Sequence, residues 1–198
     1  MQKHNIPHFY LASQSPRRRE LLSQLGLNFL TLDIQIPEIP QAGESPRAFA
    51  TRMALTKARA GWQAKARQQD CPVLGADTIV VLEHQILGKP ADQAQGIAML
   101  TQLSNKTHEV VTAVAVVKDQ QEMTQLSISK VTLRALSSLE IQRYWATGEP
   151  QDKAGAYAIQ GLAALFVSYL EGSYSGVMGL PLFETAELLN QFGITVLA

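Results

Sequence analysis

Three arginines follow a serine-bearing turn in Ser13-Gln14-Ser15-Pro16-Arg17-Arg18-Arg19, where a helix is expected to begin. Ser15 suits the N-cap, and Pro16 suits the first helical position, where its missing N–H does no harm. Basic side chains at that end oppose the helix dipole and cost about 0.3–1 kcal/mol each when exposed. A bound anion reverses the sign. Free backbone N–H groups, the Ser13 and Ser15 hydroxyls and the arginine forks then form a polyphosphate cradle. A solvated basic turn, partly balanced by Glu20, is the other reading, and local physics leaves both open.

Asp77 lies inside the apolar run Val73-Leu74-Gly75-Ala76-Asp77-Thr78-Ile79-Val80-Val81. A carboxylate there is costly unless it is hydrogen-bonded, paired or bound to a metal, which suits a group that activates water. Gly75 leaves room for another backbone or a ligand to come close. Lys57 falls beside the apolar stripe of a long helix, one turn after Met53 and one turn before Gly61. Its stem can pack at the stripe edge while the amine snorkels to water, or the amine can reach into a cleft toward phosphate. Gly88-Lys89-Pro90 holds Lys89 extended after a hairpin. Glu38 lies in a loop with Pro37, Pro40 and Pro46, and neither Lys89 nor Glu38 is informative alone. In Asp152-Lys153-Ala154-Gly155-Ala156-Tyr157-Ala158-Ile159-Gln160-Gly161, the Gln160 amide could read a base edge; an irregular surface turn is the alternative.

Positioning these residues takes alternating elements. The apolar pattern predicts a strand over 9–13, a helix from Pro16, a strand over 28–34 and a long helix from about 45 to 69. Next come a hairpin of 73–82 and 85–87 turning at Glu83-His84, a helix over 91–103 and antiparallel strands over 109–117 and 125–133. A helix over 137–147 takes Ser137 as its N-cap. After a Gly-rich stretch follow a strand at 165–170, a helix at 181–192 and a last strand at 194–197. The fold class is mixed α/β with antiparallel hairpins. The length suits one domain over 1–198, with two lobes around a cleft as a variant of that arrangement.

Composition excludes several classes. Lys plus Arg and Asp plus Glu both number 17, so the charge is zero and no general nucleic-acid surface is expected. Cys71 is the lone cysteine, and four scattered histidines show no zinc-ligand spacing. No apolar run approaches the roughly 18 residues of a membrane span. The polar N-terminal stretch 1–8 lacks the apolar middle of a signal peptide, so a reduced, cytoplasmic protein is expected.

In their order along the chain, the Ser-x-Ser-Pro-Arg-Arg start, Lys-Ala-Arg-Ala at Lys57, Gly-Ala-Asp-Thr at Asp77 and Gly-Lys-Pro at Lys89 form a set. That set resembles the Maf family of nucleoside triphosphate pyrophosphatases, and the likeness runs on to Gly179-Leu180-Pro181-Leu182. The resemblance implies a Maf/inosine-triphosphatase-like α/β fold, a mixed twisted sheet with flanking helices and a deep cleft, together with a divalent metal (Mg²⁺ or Mn²⁺), a nucleoside triphosphate substrate and a homodimer. It implies Asp77 as the catalytic proton acceptor, with Glu38, Lys57 and Lys89 as the other active-site positions and Glu38 and Asp77 as metal ligands. Ser13, Arg17 and Arg18 match the phosphate-binding loop, while Arg17, Thr78 and Gln160 match positions associated with substrate choice. Gln14 and Arg19 receive no role. The Lys-Ala-Gly-Ala-Tyr-x-Ile-Gln-Gly pattern is similar to the dTTP/UTP pyrophosphatases, whose 7-methyl-GTP relatives tend to carry Glu at the position of Gln160. A carboxamide offers a donor and an acceptor to the N3–H and carbonyl of uracil or thymine; a carboxylate only accepts. The activity implied is cleavage of dTTP, UTP and modified pyrimidine nucleotides to monophosphate plus pyrophosphate, a house-cleaning role. A regulator without catalysis, and nucleic-acid binding through Arg17–Arg19, are the competing readings.

Overall fold

A computed structural model describes residues 7–196. The sequence reading of the stretch 1–8 therefore falls largely outside the described residues. In chain order the elements begin with β1 (Phe9–Leu11), α1 (Pro16–Ser23), β2 (Phe29–Thr31), α2 (Pro46–Gln63), β3 (Val73–Leu82) and β4 (Gln85–Leu87). They continue with α3 (Gln93–Leu103), β5 (Thr107–Lys118), β6 (Gln121–Leu133) and α4 (Ser138–Ala146). Three short 3-10 turns follow (Glu149–Asp152, Ala154–Ala156 and Leu162–Leu165), then β7 (Val167–Glu171), α5 (Tyr174–Met178) and α6 (Leu182–Gln191).

The seven strands form one mixed sheet in the order β2-β1-β3-β5-β6-β7, with β4 also paired to β3. β1 runs parallel to β2 and β3, and the remaining pairings are antiparallel. Strand β3 is the axis. One edge pairs continuously with β5, from Val73 opposite Val117 to Val81 opposite Glu109. Its other edge pairs with β1 only at Val73 and Leu74, and with β4 only from Val80 to Leu82. Among the described residues, 75–79 therefore have no strand partner on that edge. Asp77 and Thr78 stand in this gap, which explains how neighbours on opposite faces of a strand open onto one cleft.

The two faces are covered differently. Helix α2 lays Phe49, Met53, Ala54 and Ala58 against Ile79, Val81, Val111, Ala113 and Ala115. The other face packs Leu74, Ala76, Val114 and Val116 against Leu21 and Leu22 of α1 and Leu188 and Leu189 of α6. A further core beyond β4 joins α3, α4 and the turns around Tyr157. No helix of the described residues is long and apolar enough to cross a membrane.

Several predicted boundaries differ from the structure. Helix α2 stops at Gln63, not near 69, because Arg67 folds back over the Trp62 ring and donates to the Trp62 carbonyl at 2.9 Å. That side chain satisfies a carbonyl the ended helix leaves free. β2 covers Phe29–Thr31, matching its three-residue partner β1, whereas the pattern predicts 28–34. β6 begins at Gln121, because a tight turn after Lys118 carries the hairpin register to its end. β7 starts at Val167, after a 3-10 turn that takes up Leu165. The predicted strand at 194–197 is absent over 194–196, and 197 lies outside the described residues. Gly193 takes a left-handed φ of 75° there, and Ile194 N–H bonds back to the Leu189 carbonyl. This closes α6 with a Schellman motif. The Glu83-His84 turn forms as predicted, with both residues at positive φ.

Candidate active site

The gap beside β3 opens into a cavity of about 660 Å³. Ser13, Arg17, Arg18, Glu38, Lys57, Asp77, Thr78, Lys89 and Gln160 all line it. These nine positions, predicted from segments scattered along most of the chain, are brought together. Gln14 lines the cavity as well, whereas Arg19 is exposed on α1.

Lys57 stands at the centre of an ionic cluster in the cavity. Its Nζ lies 2.6 Å from Glu38 Oε1 and 2.6 Å from Asp77 Oδ1. Lys57 is only 8% exposed and Asp77 only 5%, so the two charges hold each other out of bulk water. Gly75 sets this contact. A side chain there would come within 2.3 Å of the Ala54 carbonyl and 2.6 Å of the Ala58 nitrogen, so its absence lets the α2 backbone lie directly on β3. Lys57 then reaches Asp77, two residues along on the same face of the strand.

Glu38 comes from the proline-rich loop and is positioned through Arg52. That guanidinium binds both Glu44 oxygens at 2.6 Å and the Ile39 carbonyl at 3.1 Å, pinning the loop to α2. The Arg52 hydrogen bonds draw the Glu44 carboxyl down to about 2. Desolvation pushes the Glu38 carboxyl up. Lys57, through its hydrogen bond and charge, and then Lys89 and Arg18 outweigh that push and hold it below the usual range.

Arg17 and Arg18 diverge sharply. Arg18 donates from Nε to the Gly179 carbonyl at 2.8 Å, from Nη1 to Ser13 Oγ at 3.2 Å and from Nη2 to Thr78 Oγ1 at 3.2 Å. Burial lowers its guanidinium below the usual arginine value, while the charges of Asp77 and Glu38 oppose that shift. Thr78 is equally engaged: Thr112 Oγ1 lies 3.0 Å away, and its hydroxyl faces the Gly179 carbonyl at 3.4 Å. Arg17, by contrast, has one long ion pair, 4.0 Å to the exposed Asp152. Ser15 caps α1, accepting from Arg18 N–H at 3.5 Å, as predicted. Lys89 is exposed at the cavity, and its neighbour Gly88 accepts a backbone hydrogen bond from Gly155 at 3.0 Å. Gln160 is exposed at the cavity, and its carboxamide has no hydrogen-bond partner among the described residues.

The sequence reading left Lys153 and Asp152 without roles, yet both line the cavity and form an ion pair with each other. The carbonyl of Gly179 was also missed, because a backbone acceptor leaves no mark in residue type. Its only trace is the glycine itself, at φ 117°.

The donors fit a divalent cation of one kind. No group of three or more His, Cys, Asp or Glu gathers among the described residues, so they build no all-protein cage. Each of Glu38 and Asp77 gives one oxygen to Lys57, which leaves Glu38 Oε2 and Asp77 Oδ2 without a hydrogen bond among the described residues. Two carboxylate oxygens would suit Mg²⁺ or Mn²⁺, hard cations that take few protein oxygens and keep several waters.

Comparison with known proteins agrees with this architecture. The family model described as Maf-like protein matches residues 8–192. A dTTP/UTP pyrophosphatase of Alkalilimnicola ehrlichii is 56% identical over 197 residues, covering 98% of this chain and 97% of the relative. One of Saccharophagus degradans is 51% identical, covering 97% and 92%, and one of Xanthomonas campestris is 53% identical, covering 93% and 98%. With a mixed α/β sheet, its cleft beside the central strand and this match across nearly the whole length, the chain belongs to the Maf-like protein family.

Proposed function

We propose that this protein is a nucleoside triphosphate pyrophosphatase that hydrolyses dTTP and UTP to the monophosphate and pyrophosphate. The observation that carries the reading is Lys57 Nζ held at 2.6 Å from both Glu38 and Asp77 inside a cavity edged by Arg17, Lys89 and Lys153. The names of the similar proteins point to the same reaction.

Arg17, Lys89 and Lys153 receive the triphosphate, whose charge compensates the basic turn that opens α1. Arg18 and Thr78, already bonded to the protein, fix the first turn of α1, from which Arg17 projects. Lys57 orients Asp77, and the Asp77 carboxylate takes the proton of the attacking water. The water oxygen bonds to the α-phosphorus as the α–β bridging bond breaks, and pyrophosphate leaves with the electron pair. Glu38 stays ionised through neutral pH, consistent with its lowered pKa. Bound Mg²⁺ or Mn²⁺, held by Glu38 and Asp77, would neutralise charge on the phosphates. Elsewhere in the cavity Gln160 pairs with the N3–H and carbonyl of the pyrimidine, so modified pyrimidines that keep this edge belong to the same substrate class. The family resemblance and the single cysteine support a homodimer working in the cytoplasm.

A panel of nucleoside triphosphates incubated with Mg²⁺ or Mn²⁺ tests the reading. Pyrophosphate plus UMP or dTMP is expected. Orthophosphate plus a diphosphate, or tight binding of UTP with no product, overturns it.

A further inference from the structure

Gln160 has no side-chain partner among the described residues, so its direction depends on the backbone that carries it. Ala158 accepts from Gly161 N–H at 3.0 Å, closing a turn around Ile159 and Gln160. On the near side, Ala158 N–H donates to Tyr144 Oη at 3.1 Å. On the far side, Leu162 N–H and Ala163 N–H donate to the Glu149 carboxylate at 3.0 and 3.3 Å. The Tyr144 hydroxyl donates to Glu149 Oε1 at 2.7 Å, joining the two anchors. One hydroxyl and one carboxylate therefore hold the chain before and after the glutamine.

Gly161 shows how closely the carboxylate is seated. A Cβ at that position would stand 2.3 Å from Glu149 Oε2, so the carboxylate fills the space a side chain would need. Tyr144 is buried, with its ring edge-on to Phe166 at 5.1 Å, and burial pushes its hydroxyl pKa up, so it remains a donor. Neither Tyr144 nor Glu149 lines the cavity. Any effect they have on substrate passes through the turn.

We propose that Tyr144 and Glu149 are positioning residues for base selection, aiming the Gln160 carboxamide by clamping the backbone on both sides of it. The proposal rests on the reading of Gln160 as the group that meets the base. Without the clamp, a turn whose ends are free lets the amide leave the pyrimidine edge while the hydrolytic groups on β3 and α2 stay in place.

Steady-state kinetics of the full chain with UTP and GTP, for Tyr144→Phe, Glu149→Gln and Gln160→Ala, test it. Loss of one buried polar contact predicts a KM for UTP raised about tenfold in Tyr144→Phe and Glu149→Gln, with kcat within about twofold of the parent. The preference for UTP over GTP falls in parallel. A lower melting temperature with KM and preference unchanged would falsify the proposal, leaving the pair a purely structural brace. So does an equal loss of kcat for both nucleotides. Tyr144→Phe keeps the buried ring and decides the matter if Glu149→Gln does not fold. If Gln160→Ala leaves the preference unchanged, the reading of Gln160 falls and this proposal with it. If Gln160→Ala shifts the preference and the other two variants do not, only the clamp is overturned.

Discussion

Two parts of the cavity lining are built on opposite plans. Around Lys57 the charged groups are held by partners: Glu38, Lys57 and Asp77 form a bonded trio, and Arg18 is tied to Ser13, Thr78 and Gly179. Around Gln160 the side chain that lines the cavity is unbonded among the described residues, and the backbone on either side of it is held. Charges that must not wander are preorganised by partners, which keeps the reorganisation cost low during reaction. A group that must exchange bonds with a ligand is kept free and aimed from below. Such a free amide loses little when it swaps water for a base, whereas a wrong base leaves buried polar groups unpaired.

Substitutions in each part can break or sharpen this contrast. The largest effect is expected from Asp77→Asn, which keeps the shape but removes the proton acceptor. Pyrophosphate release should fall by about 10²–10⁴-fold while the melting curve shows a folded protein. Turnover near the parent rate would remove Asp77 from the chemistry. A smaller effect belongs to Gln160→Glu, which replaces a donor-acceptor pair with acceptors only. The ratio of kcat/KM for UTP to that for GTP should fall by roughly tenfold or more, without loss of the ability to release pyrophosphate. An unchanged ratio, measured on the same preparation, would show that the base is read elsewhere.

The smallest effect on activity comes from a third anchor of the same region. His108 is 2% exposed, with Nε2 at 2.8 Å from the Tyr157 hydroxyl and Nδ1 without a partner. Burial lowers its pKa to about 4 from the ordinary 6.5. Between those values the unfolded chain binds a proton that the native chain refuses, so stability rises with pH in that window and is lost as acid is added. The parent should lose roughly 2 kcal/mol more than His108→Gln between about pH 7 and pH 5, measured by urea unfolding. Turnover of the variant at neutral pH should stay near that of the parent. Parallel pH dependence in the two proteins would place the titration in other groups.

How much of this was legible in the sequence follows the same division. Asp77 is visible as a charge inside an apolar run, and Gly75 beside it announces the close approach of α2 that the structure shows. Lys57 is visible from helical spacing. Ser137 and Glu140 close a capping box at the predicted start of α4. Contacts made through backbone atoms are not legible in this way. Tyr144 and Glu149 act on amide groups of residues 14 and 13 positions away, which no periodicity marks. The same cause explains the misplaced ends of β2 and α2. The extent of β2 follows from the length of its neighbour, and the end of α2 from an arginine beyond it.

The Arg18–Gly179 hydrogen bond joins positions 161 residues apart. In terms of chain entropy it acts as a polar cross-link that closes nearly the whole molecule into one loop. Closing loops that long costs little more than closing much shorter ones. The segment carrying Gly179 thereby becomes, functionally, a distant part of the basic turn at the other end of the chain. Shortening the protein from its C-terminal side past that residue would remove the core contacts of α6, Leu188 and Leu189, together with the acceptor that fastens Arg18.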